Sequence, residues 1–165
     1  MFTSFLSRAG WSALALACTL GSAWGQALHV DDAWTRATVP GQRAGSAFMT
    51  LQSDVDATLT GVSSPVAEHA EIHVMEQDGD IMRMRALPEL PLPAGQPVAL
   101  TFSGTHVMLM NLHQPLVEGS RIQLTLQGRT AAGESLEQVV ELPVLGITAR
   151  GNGHDHDQHH DHHDH

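Results

Sequence analysis

Two histidines and five methionines fall at spacings that could bring soft ligands together. His73, Met75, Met82 and Met84 make one group, and His106, Met108 and Met110 make another. Imidazole and thioether are soft, neutral donors. Softness selects Cu(I) over Mg, Ca or Mn, which prefer oxygen. Zinc would normally take His, Cys or carboxylate and would rarely recruit Met. Taken singly, each residue is ordinary: Met usually fills a core, and a lone His is usually structural or on the surface. The coincidence of the two groups points to a metal.

These residues need strands to position them. Short apolar-alternating runs separated by Gly, Pro, Asp and Ser predict strands over 47–52, 68–76, 80–86, 98–102, 106–111, 121–127 and 135–142. The clearest is 121–127, where Ile122, Leu124 and Leu126 share one face. No window of a dozen residues carries a helical stripe. The expected fold is an all-β, two-sheet antiparallel sandwich. Asp78-Gly79 is a two-residue hairpin signal of type I′. That turn would pair Met75 with Met82 and His73 with Met84, all four on one face. Directly opposed Cβ atoms lie about 4.5–5.5 Å apart, so His73 and Met84 could share an ion. In the second group His106, Met108 and Met110 share a face, while Val107 and Leu109 face the other way, towards a core. Gly104 suggests a turn or bulge that lifts His106 to a rim.

The residues also carry a family resemblance. His73, ten residues, Met84, twenty-one residues, His106, one residue and Met108 together resemble the H-x10-M-x21-H-x-M signature of the periplasmic copper chaperone family PCu(A)C. The surroundings are similar too: Ala33 to Thr38 with Pro40-Gly41, Ala44 to Met49, and His106 to Met110. The resemblance implies a cupredoxin-like β-sandwich or barrel. It also implies that His73, Met84, His106 and Met108 are Cu(I) ligands. It implies delivery towards the Cu(A) centre of cytochrome c oxidase, with subunit II or a Sco-type thioredoxin-like protein as partner. Met75, Met82 and Met110 are expected mainly to pack, with a soft outer shell as the alternative. Trp34 and Arg36 are expected to be a core Trp and a surface Arg.

The ends of the chain read differently. Residues 1–25 resemble a secretory signal peptide: Arg8, a short apolar run, then Ala23-Trp24-Gly25 before Gln26. The strongly apolar part is about ten residues, too short for stable membrane insertion. Export to the periplasm is the expectation. Cys18 is the sole cysteine and fits a lipoprotein signal poorly. Cleavage at Gln26 would leave no thiolate, which excludes a blue-copper site and a disulfide. Residues 26–149 form the expected copper-binding β domain, and 150–165 a disordered His/Asp-rich tail. The tail carries His154, His156, His159, His160, His162, His163 and His165 with four Asp. Imidazole with carboxylate suits Cu(II), Zn(II) or Ni(II) better than Cu(I).

Charge and size exclude other classes. The 165 residues hold 8 Arg, no Lys and 18 acids, for a net charge of −10. A nucleic-acid surface is not expected from that balance. No nucleophile–base constellation is visible, so no enzymatic activity is expected. The remaining alternative is a periplasmic metal buffer or copper-resistance protein acting mainly through the tail.

Overall fold

The computed structural model describes residues 28–150. Ten strands occupy most of them: β1 (Leu28–Arg36), β2 (Ala44–Ser53), β3 (Ala57–Ser63), β4 (Ala67–Asp78), β5 (Ile81–Ala86), β6 (Leu90–Leu92), β7 (Val98–Leu100), β8 (Thr105–Leu112), β9 (Arg121–Thr130) and β10 (Ser135–Leu145). The seven expected strands are present, and β1, β3 and β6 are additional. The hydrogen-bonded order is β5-β4-β8-β2-β1-β10-β9-β3-β6, with β7 also paired to β2. The sheet is open, ending at β5 and β6. The pairing is not wholly antiparallel: β1 and β10 run parallel, matching Thr35 to Val144 and Arg36 to Leu145. This pair joins the two halves of the fold.

Alternation explains the core. On β9, Ile122, Leu124 and Leu126 are buried, as the period of two requires. On β8, Val107 and Leu109 are buried on the core side. Ile72 of β4, Leu51 of β2, Leu59 of β3 and Leu142 of β10 complete one cluster drawn from both halves. Each fully buried aliphatic side chain contributes roughly 1.5–3 kcal/mol.

The β4–β5 hairpin departs from the expected register. Asp78 pairs with Ile81, so Gly79 and Asp80 are the turn. Gly79 has φ +63°, while Asp80 is not among the positive-φ residues. That combination fits a turn with glycine in its first central position. His73 therefore lies opposite Ala86, Met75 opposite Met84, and Gln77 opposite Met82. The slip is two in the pair sum, so every side chain keeps its face.

Candidate metal centre

The β4–β8 pairing builds the centre. It sets His73 directly opposite His106, and Glu71 opposite Met108. On the far side of β8, Met108 pairs with Ser46 of β2. His73, His106 and Met108 thus occupy adjacent positions on the sheet face opposite the core. Met84 stands beside Met75, one rung from His73 towards the turn. His73 and Met84 are diagonal rather than opposed, about 7–8 Å apart in a regular ladder. All four candidate ligands share this face. Met110 sits further along β8, opposite His69. The tail histidines lie outside the described residues.

Burial grades the candidate ligands. His106 is 5% exposed, so it is buried in the sheet rather than lifted to a rim. Its position follows from Gly104, whose carbonyl takes a hydrogen bond from His106 Nδ1 at 3.2 Å. Met84 and Met82 are 49% and 53% exposed on the edge strand. A deep imidazole end and an open thioether end result.

The hydrogen bonds leave the right ring nitrogens available. His73 Nε2 donates to Glu71 Oε2 at 3.0 Å. This leaves Nδ1 as the lone-pair nitrogen, and that atom is buried without a partner. His106 donates through Nδ1, so Nε2 carries its lone pair. A buried unpartnered acceptor is unfavourable in an apo protein, and a metal ion would satisfy it. Ser46 Oγ donates to Met108 Sδ at 3.4 Å, which holds that thioether in place. Burial pushes the His106 pKa below its ordinary value, and the nearby His73 adds to the effect. The Gly104 hydrogen bond partly opposes both. His106 is thereby kept neutral, the form a metal needs.

Among the described residues, no three His, Cys, Asp or Glu side chains converge as a metal site. Thioethers are therefore needed to complete a donor set here. His29 instead contacts Asp54, and His69 contacts Glu68.

An aromatic ledge adjoins the centre. Phe48 lies 4.6 Å from Trp34 and 6.3 Å from His106, between ring centroids. The Arg36 guanidinium sits 5.8, 5.9 and 5.1 Å from the rings of Trp34, Phe48 and Phe102. Trp34 is buried but stands apart from the main core cluster. Arg36 is half-buried and engaged rather than a free surface charge.

Residues 28–144 match the family described as "Putative lipoprotein LpqE-like". The chain belongs to the LpqE-like family. A relative from Leifsonia xyli subsp. xyli (strain CTCB07), "Putative lipoprotein Lxx21020", is 29% identical over 101 residues. That match covers 61% of this chain and 61% of the relative, so the chain spans about three fifths of the relative's length. Among solved structures, Cu(I)-bound DR1885 from Deinococcus radiodurans is 30% identical with a TM-score of 0.55, covering 78% of this chain and 85% of that one. Apo-DR1885 is 27% identical with a TM-score of 0.53, over 87% and 97%. The apo PCuAC domain of PmoF2 shares the fold at 21% identity and a TM-score of 0.60, over 75% and 94%. The structural neighbours of this LpqE-like chain thus include PCuAC domains, whose fold it shares.

Proposed function

We propose that this LpqE-like domain is a copper chaperone that carries Cu(I) as cargo. His73 Nδ1, His106 Nε2 and the thioethers of Met108 and Met84 are its ligands. The observation that carries the reading is the His73–His106 cross-strand pair, with the buried, unpartnered His73 Nδ1 beside it. The relative solved as a Cu(I) form supports the choice of metal. The chemistry agrees, since two imidazoles and two thioethers favour a soft monovalent ion.

Transfer proceeds by ligand exchange. At the imidazole end His106 is buried and His73 half-buried, braced by Gly104 and Glu71. The Met84 end is open. An acceptor ligand enters at Met84, displaces that thioether and binds the ion while the histidines still hold it; the ion then leaves as the histidines let go. The proposed setting is the periplasm. The proposed acceptor is subunit II of cytochrome c oxidase at its Cu(A) centre, reached directly or alongside a Sco-type thioredoxin-like protein. A second reading, a metal buffer acting through the tail, rests on the seven histidines of His154–His165.

Anaerobic Cu(I) titration against a colorimetric chelator separates the two. One tightly held Cu(I), weakened in both Met84→Ala and His106→Ala and kept when the tail histidines are replaced by Asn, supports the chaperone site. Binding that vanishes with the tail histidines alone overturns it in favour of the buffer. Transfer to an acceptor no faster than spontaneous dissociation would refute ligand exchange.

A further inference from the structure

The β4–β5 hairpin carries three thioethers on the metal-binding face, and the candidate centre uses only one of them. Met75 of β4 is directly opposite Met84 of β5, and Met82 is opposite Gln77. Met82 and Met84 are two residues apart on one strand, so they share a face with Met75. Directly opposed Cβ atoms lie about 4.5–5.5 Å apart, and the diagonal from Met75 to Met82 is about 7–8 Å. A methionine side chain has three rotatable bonds, enough for three sulfurs to converge on one ion from those positions. The Gln77 amide is taken up by the turn, where its Nε2 donates to Gly79 O at 3.1 Å.

Packing does not account for these residues. Met82 and Met84 are 53% and 49% exposed, on a strand that ends the sheet. Met75 is half-buried. The expectation that Met82 mainly packs therefore fails. Met49 shows what a packing methionine looks like: it is 2% exposed, inside the main core cluster. The hairpin is braced by charge instead. Arg83 Nε donates to Asp78 Oδ2 at 3.0 Å, and Arg85 forks onto Glu76 through Nε and Nη2, at 3.1 and 2.5 Å. Glu76 is opposite Arg83 in register, so these side chains start from the face opposite the methionines. The two cations of β5 are thus paired with carboxylates and kept off the thioether face. Three neutral thioethers without an imidazole make a softer set than the His73–His106 pair. Such a set selects Cu(I) over Zn(II) and Cu(II), which take imidazole or carboxylate.

We propose that Met75, Met82 and Met84 form a second, methionine-only Cu(I) seat, at which an incoming ion is first caught. The seat stands on the hairpin alone; the ion's onward destination rests on the chaperone reading. Met84 belongs to both seats, so they are occupied in turn. The ion keeps its Met84 bond and exchanges the Met75 and Met82 sulfurs for His73 Nδ1, His106 Nε2 and the Met108 sulfur. Copper remains Cu(I) throughout, and no electron or proton moves.

The full chain, isotope-labelled at its methionine methyls, is titrated anaerobically with Cu(I), a diamagnetic ion that leaves the resonances sharp. In the native chain the first equivalent should move Met84 and Met108. In His73→Ala/His106→Ala, excess Cu(I) should move Met75, Met82 and Met84 while Met108 stays still. Adding Met82→Leu should abolish those shifts. An unmoved Met49 methyl shows that the variant keeps its core. Met82→Leu alone, an exposed and volume-conserving change, covers the case in which the double variant fails to fold. It should take up Cu(I) from a weak colorimetric chelator complex several-fold more slowly, with its equilibrium affinity unchanged. Hairpin methyls that stay still in the imidazole-free variant, or a Met82→Leu chain that loads at the native rate, overturn the seat. A fall in equilibrium affinity matching the fall in rate would make Met82 a cargo ligand and overturns it too. If the first equivalent moves Met75 and Met82 but not Met108 in the native chain, the seat stands and the chaperone reading falls.

Discussion

Removing the carboxylate of Glu71 should loosen copper without loosening the fold. Glu71 Oε2 accepts the His73 Nε2–H at 3.0 Å, which fixes the ring and leaves Nδ1 for the proposed metal. Partners of this kind, one step behind a ligand, are worth about 10–100-fold in metal affinity, or roughly 1.4–2.7 kcal/mol. The Glu71 side chain is 49% exposed, and solvent weakens a charge-assisted bond at such a site. Glu71→Ala should therefore sit at the low end, about tenfold weaker for Cu(I). Glu71→Gln keeps an acceptor oxygen and should lose about threefold or less. Folding stability should stay within about 0.5 kcal/mol, as for other surface changes. The assay is anaerobic chelator competition at neutral pH, with urea unfolding of the apo protein in parallel. If Glu71→Ala binds Cu(I) like the native chain while His73→Ala does not, the carboxylate does not orient the ring. If Gln is as damaging as Ala, charge rather than the hydrogen bond is what matters.

Three further outcomes are expected. Because the folded His106 pKa is lowered from 6.5, the unfolded chain binds that proton first as pH falls. The contribution of His106 is therefore complete above about pH 6.5 and is lost as pH drops towards the lowered folded value; urea midpoints of apo protein at pH 7.5 and 5.5 would show the decline, and His106→Asn would flatten it. Gly128→Ala should destabilise by about 1–3 kcal/mol, because its Cβ would lie 2.5 Å from the Thr58 carbonyl oxygen in the neighbouring strand; urea unfolding checks this, with Cu(I) affinity unchanged. Intact mass of the protein exported from a bacterial host should correspond to a chain beginning at Gln26, whereas a diacylated Cys18 would make it a lipoprotein.

Strands with clean alternation were legible from residues alone, and 121–127 and 106–111 show why. In 121–127 the apolar positions repeat every second residue with no interruption, and in 106–111 Val107 and Leu109 alternate with His106, Met108 and Met110. Strand β1 lacks that regularity. A bulge between Asp31 and Trp34, with Asp32 at φ +50°, breaks its alternation. Buried Thr35 adds a polar residue where an apolar one is expected. A register shift between Leu59 and Gly61 blurs β3 in the same way. The shared face of His73, Met75, Met82 and Met84 followed from period two, which survives a register slip of two. The identity of the direct pairs did not survive, because Gly79 takes the first turn position rather than the second. The contact between His73 and His106 joins strands 33 positions apart in the chain, and no hairpin rule reaches it. The role of Arg36 was hidden for the same reason, since its acceptor is Ala149, 113 residues away.

The candidate ligands lie on the face of the sheet that the main core does not use. Val107, Leu109 and Ile72 point inward from the same strands that present His106, Met108 and His73 outward. On the proposed reading, folding and loading are therefore separate equilibria, unlike small zinc modules whose core exists only around the ion. If the proposed function holds, an emptied chain would keep its shape, need no refolding between cargoes, and return to service with its candidate ligands already in register.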